Sequence, residues 1–134
     1  MRAARLGLIL VALCAAVAGC SFTGGIGPTA YLENGTDVPI AVYVNGGWVG
    51  TYPPGTRTDV PIGGHGGPPY AIEVRTPSGV VLTQLGVSPA DIANGGSVGA
   101  GASMPCGEVQ LTYGAVERRG GPARVAPIEP GSCP

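Results

Sequence analysis

The chain is cut into short apolar runs by turn residues at close, regular intervals, and this most limits what it can become. Between Val38 and Tyr52 the pattern is "VPIAVYV", then "NGG", then "WVGTY", followed by "PPG" at Pro53–Gly55. No run is long enough for an amphipathic helix of more than two turns. The runs are rich in β-branched residues, and Asn-Gly between two of them is a strong hairpin signal, since both residues tolerate positive φ. "RTDVPI" (Arg57–Ile62) is a short strand candidate and "GGHGGPP" (Gly63–Pro69) a loop. "YAIEVRT" (Tyr70–Thr76) alternates, with Tyr70, Ile72 and Val74 on one face and Ala71, Glu73 and Arg75 on the other. "PSG" (Pro77–Gly79) turns the chain into "VVLTQLGV" (Val80–Val87). Ser88 followed by Pro89 caps a single helical turn. "SVGAGASM" (Ser97–Met104) is a weak, Gly-rich strand, and "EVQLTYG" (Glu108–Gly114) places Val109, Leu111 and Tyr113 on one side.

Gly (25) and Pro (14) exceed a quarter of the 134 residues, a level at which disorder competes with folding. A hydrophobic content of 44% argues for a core instead. Six to eight short strands with turns every 8–12 residues give an all-β reading: a small antiparallel β-sandwich, similar in pattern to an immunoglobulin-like domain.

The N-terminus has its own pattern. Arg2 and Arg5 precede an apolar run from Leu6 to Ala18, too short to span a bilayer and followed by polar, Gly-rich sequence. It reads as a cleaved signal peptide. The run ends in "VAGC" (Val17–Cys20), which resembles the lipobox of bacterial lipoproteins. That resemblance implies removal of residues 1–19 and transfer of a diacylglyceryl group to the Cys20 thiol, so that the residue carries two or three acyl chains of the palmitate type. Cys20 then becomes the membrane anchor, and Cys14 leaves with the signal. Residues 20–29 read as lipidated Cys and flexible tether, about 30 Å at full extension. Residues 30–134 read as the β-sandwich domain with an irregular C-terminal tail. The expected location is the outer face of the plasma membrane, or the outer membrane of a two-membrane cell, with which Ser21 is compatible. Further short motifs, "NGT" (Asn34–Thr36), "VNG" (Val44–Gly46), "TPSG" (Thr76–Gly79) and a late "CGE…GSC", are similar to those of short bacterial lipoproteins and imply no activity.

Export places Cys106 and Cys133 in an oxidising compartment, and two is an even number, so a disulfide pinning the tail to the last strand is expected. No C-x-x-C, EF-hand or G-x-S-x-G pattern is present, and His65 is the sole histidine. No metal, cofactor or enzymatic activity is therefore expected. The net charge of −1, with every basic residue an Arg, gives no basic patch and excludes nucleic acid as an expected partner. "NGT" reads as a turn.

Candidate ligand contacts are Trp48, Tyr52 and His65. Alternation puts Trp48, Gly50 and Tyr52 on one strand face. With so few aromatics a core role is the commoner outcome; an exposed platform for sugar or peptide is the alternative. His65 in its Gly/Pro loop reads as a solvated residue. The functional expectation is a lipid-anchored envelope protein with a binding or structural role. Its partners are the membrane, through the lipid, and a protein or carbohydrate. The alternative is an accessory subunit of an exported enzyme or transporter.

Overall fold

The computed structural model describes residues 27–134, so Cys20, the signal peptide and most of the tether lie outside the described residues. The turn signals divide the chain into strands as expected. In order these are β1 (Thr29–Thr36), β2 (Ile40–Val44), β3 (Gly47–Tyr52), β4 (Arg57–Pro61), β5 (Tyr70–Arg75), β6 (Val81–Val87), helix α1 (Pro89–Asn94), β7 (Val98–Met104) and β8 (Gly107–Tyr113). They form two four-stranded sheets, β4-β1-β8-β7 and β3-β2-β5-β6, in which every pairing is antiparallel.

The small antiparallel all-β sandwich is thus observed. Its first two strands, β1 and β2, lie in opposite sheets, joined across one end of the sandwich.

The core lies between the sheets. Ala30 and Leu32 of β1, Val60 of β4, and Val109 and Leu111 of β8 face Ile40, Val42 and Val44 of β2, Ile72 and Val74 of β5, and Leu85 and Val87 of β6. Their period of two is the one legible in the sequence, most cleanly in β5. The β2–β3 hairpin has a two-residue loop, Asn45–Gly46, in which both residues have positive φ (50° and 82°), as a type I′ turn requires. Ser88 caps α1: its Oγ accepts from the Asp91 amide (3.1 Å), and the Asp91 carboxylate accepts from the Ser88 amide (2.8 Å). The Ser88 amide and hydroxyl, both donating to Asp91 Oδ2 at 2.8 Å, hold the Asp91 carboxyl below its ordinary range.

"NGT" is not a turn. Asn34–Thr36 completes β1, and Asn34 is fully buried. Its Nδ2 donates to the carbonyl oxygens of Val38 (3.0 Å) and Tyr52 (3.1 Å), while its Oδ1 accepts from the Thr36 amide (3.0 Å) and hydroxyl (2.6 Å). The expected turn fails because a carboxamide with four satisfied bonds is more stable facing inward than shaping its own backbone. Through Tyr52 the same side chain ties β1 to a strand of the opposite sheet.

Residues after Tyr113 form no regular element, as expected, but they are docked rather than loose. The tail leaves β8 and crosses the outer face of β4-β1-β8. Arg118 makes a bidentate pair with Asp59 (3.1–3.2 Å), the Tyr31 hydroxyl donates to Arg119 O (3.3 Å), and the Ala123 amide donates to Gly55 O (2.7 Å). Further on, the Glu129 amide donates to Pro105 O (2.8 Å) and the Gly131 amide to the Asp37 carboxylate (2.7 Å). A Cys106–Cys133 disulfide then closes the strap onto the start of β8.

Candidate functional site

The outer face of the β3-β2-β5-β6 sheet carries the single tryptophan of the chain. Trp48 is 57% exposed, contrary to the core role expected for it. The cause is a register shift. Tyr43 pairs with Trp48 and Val42 with Gly50, so Val49 is an extra residue on β3. This bulge inverts the alternation. Val49 and Tyr52 pack against the core, while Trp48 turns outward and its Nε1 lies 3.4 Å from the Thr51 hydroxyl.

Trp48, Gly50 and Tyr52 therefore do not share a face, and Tyr52 is withdrawn from the platform. Burial pushes its phenol above the ordinary tyrosine value, consistent with a group turned away from water.

What joins Trp48 instead comes from neighbouring strands. Trp48 lies opposite Tyr43, Tyr43 opposite Glu73, and Glu73 opposite Gln84, so one row runs across all four strands. The Arg75 guanidinium stacks over the Tyr43 ring, 4.1 Å from its centroid. It also donates to Glu73 Oε2 from Nε (3.0 Å) and Nη2 (2.6 Å). The bond to Glu73 holds Arg75 charged and pushes its pKa up. Gln84 Nε2 lies 3.4 Å from the other Glu73 oxygen. The result is a flat surface with an indole at its edge strand and fixed polar groups beyond it. Such a surface can stack an apolar ring face and hydrogen-bond its rim. The outward positions of Glu73 and Arg75 were legible in the alternation of β5; the row with Trp48 and Tyr43 was not, because the β2–β3 bulge sets it.

His65 is brought to the same hairpin. Its backbone oxygen accepts from Asn45 Nδ2 (3.1 Å), and its imidazole lies so close to Gly47 that a Cβ there would overlap it. It is half-buried against the turn rather than fully solvated as expected. Trp48 and His65 thus belong to one end of the sandwich, and Tyr52 to its interior.

The opposite sheet bears a second feature that the sequence did not announce. Between its outer face and the strap is a cavity of about 390 Å³. Arg57 enters it, with Nε 3.4 Å from Glu33 Oε1 but out of line for a hydrogen bond, so that this buried N–H has no hydrogen-bond partner among the described residues. The tail residues of the wall sit far from the strand residues in sequence, and no spacing rule connects them.

The Asp37 carboxylate lies beside the disulfide, within 4.8 Å of both sulfurs. With the sulfurs bonded to each other, this trio has no thiolate to offer a metal. Among the described residues no helix is long and apolar enough to cross a membrane. No protein-family model, curated protein or solved structure matches the chain.

Proposed function

We propose that this chain is an exported lipoprotein, anchored through an acylated Cys20, whose β-sandwich is a non-catalytic binding module of the cell envelope. Its contact surface is the Trp48 face of β3-β2-β5-β6, and its partner is a protein or carbohydrate of the envelope. The observation that carries the reading is the exposure of the sole tryptophan. A domain of few aromatics that turns its largest apolar side chain to solvent, beside a pre-ordered Tyr43–Arg75–Glu73 group, has a surface suited to stacking. Tryptophan and arginine are the side chains that most often dominate binding energy when a partner covers them.

Two measurements test the halves of this reading separately. Trp48 fluorescence in the free protein should be quenched by acrylamide and become protected when envelope polysaccharide or a partner protein is added. Trp48→Ala should weaken that retention at least about tenfold while leaving thermal stability within about 0.5 kcal/mol, since an exposed residue supports little of the fold. Undiminished retention by Trp48→Ala would remove the contact surface from the proposal.

The anchor is tested by mass. The wild-type protein from membranes should begin at Cys20 and carry the added mass of its acyl chains, and Cys20→Ala should accumulate as an unprocessed precursor. Stable attachment needs more than one acyl chain, because each buried CH₂ contributes about 0.8 kcal/mol. A wild-type protein carrying a free Cys20 thiol overturns the anchor and leaves the Trp48 surface to stand on its own test.

A further inference from the structure

A cavity lies under the C-terminal strap. Its floor is the outer face of the β4-β1-β8 sheet and its roof is the tail, which the disulfide and the Arg118–Asp59 pair hold in place. At about 390 Å³ it falls within the range of small-molecule sites. The tail passes close over Gly35, where an added Cβ would lie 2.8 Å from Glu108 O of β8 and 2.9 Å from Arg124 O of the tail. Any side chain there would lift the strap from the sheet, so glycine at this position keeps the chamber closed at that side.

The lining decides the kind of ligand. Glu33, Glu108 and Glu117 contribute carboxylates, and Arg57, Arg119 and Arg124 contribute guanidinium groups. The formal charges cancel. A small anion would face three carboxylates, and a small cation three guanidiniums. An apolar molecule would strip water from both sets without replacing their hydrogen bonds. Gln110, bonded to Glu108 at 2.7 Å, and the Thr112 hydroxyl add neutral donors and acceptors. Tyr31, only 6% exposed, shows the cavity little of its ring, and Arg57 lines the wall with its Nε turned from water toward Glu33.

We propose that this chamber binds a neutral, hydroxyl-rich ligand of one or two sugar rings. Sugar hydroxyls donate and accept at adjacent oxygens. One such pair matches a carboxylate and a guanidinium side by side, as at Glu33 and Arg57. The site is independent of the Trp48 surface, which lies on the other sheet.

Calorimetric titration of the full chain in detergent tests this, with maltose, cellobiose and N,N′-diacetylchitobiose as probes, and glycylglycine and inorganic phosphate as zwitterionic and anionic comparisons. Saturable binding of at least one disaccharide is expected, with neither comparison ligand competing. Arg57→Gln should weaken it at least about tenfold by removing a charge-assisted donor. Should that variant fold poorly, Thr112→Phe, which occupies the chamber from an outward strand position, serves in its place and should abolish binding. Trp48→Ala should leave it unchanged, so loss of the Trp48 surface and loss of the chamber are read separately. Absence of saturable disaccharide binding, binding of glycylglycine or phosphate alone, or disaccharide binding that survives Thr112→Phe overturns the proposal.

Discussion

Asn34→Leu is expected to destabilise the sandwich by about 3–5 kcal/mol. The side chain is fully buried and each of its polar atoms is used. Leucine keeps the branching of asparagine with two methyl groups in place of the amide oxygen and nitrogen, so every hydrogen bond is lost and the larger methyl groups add some crowding. Removing the amide leaves the carbonyl oxygens of Val38 and Tyr52 and the amide and hydroxyl of Thr36 without their partner in the interior. Each unsatisfied buried group costs about 1–3 kcal/mol, reduced where the Thr36 hydroxyl can turn to the nearby Val38 oxygen at 3.1 Å. Urea denaturation should show a lower midpoint at unchanged slope, since the surface exposed on unfolding stays the same. Asn34→Asp separates the two halves of the network: it keeps the acceptor for Thr36 but turns the donor into an oxygen facing two carbonyl oxygens, and it should be destabilised as well. A loss below about 1 kcal/mol for Asn34→Leu would mean that water or local rearrangement satisfies these groups, and that the link between the sheets carries little stability.

Breaking the disulfide is expected to cost about 3.5 kcal/mol on the chain-entropy account, for a bridge between residues separated by 27 positions. The effect should also be local. In Cys106→Ser/Cys133→Ser the strap retains only its hydrogen bonds and the exposed Arg118–Asp59 pair, and an exposed ion pair holds little by itself. The amides of Ala123, Glu129 and Gly131, which donate to Gly55, Pro105 and Asp37, should lose protection from hydrogen exchange. Those of Leu32 and Leu111, central in the β-ladder, should lose only what the global stability loses. Unchanged protection across the tail would show that its docking is independent of the covalent closure.

Reading strands from this sequence works because its turn chemistry is local. Asn45–Gly46 demands positive φ at two successive positions and the chain supplies residues that tolerate it, so the hairpin is written into a dipeptide. The face of β5 is equally local, since Tyr70, Ile72 and Val74 alternate with Ala71, Glu73 and Arg75 without interruption. The reading fails where a partner overrides alternation. The extra residue Val49 makes sense only once β3 is laid against β2, and it splits the expected face, leaving Tyr52 packed against the core and Trp48 turned to solvent. At Asn34 the same residue type that shapes turns becomes a buried cross-link, because Val38 and Tyr52 present carbonyl oxygens where its amide can reach them. An immunoglobulin-like connectivity is not legible in the sequence for a related reason. Strand lengths and spacings are shared by many sandwiches, and the order of strands is set by pairings between distant segments.

By itself the sequence determined that this chain is a turn-punctuated, all-β domain with a cysteine pair suited to closing its tail. These properties depend on residues adjacent to one another or on composition, where backbone preference and hydrophobic period act at short range. Only the tertiary structure decided which aromatic faces water, what holds the two sheets in register at Asn34, and that the tail roofs a charged chamber over β4-β1-β8. Each of these depends on groups brought together from distant parts of the chain. Tyr31 and Arg119 are 88 positions apart and meet only when the strap lies on the sheet.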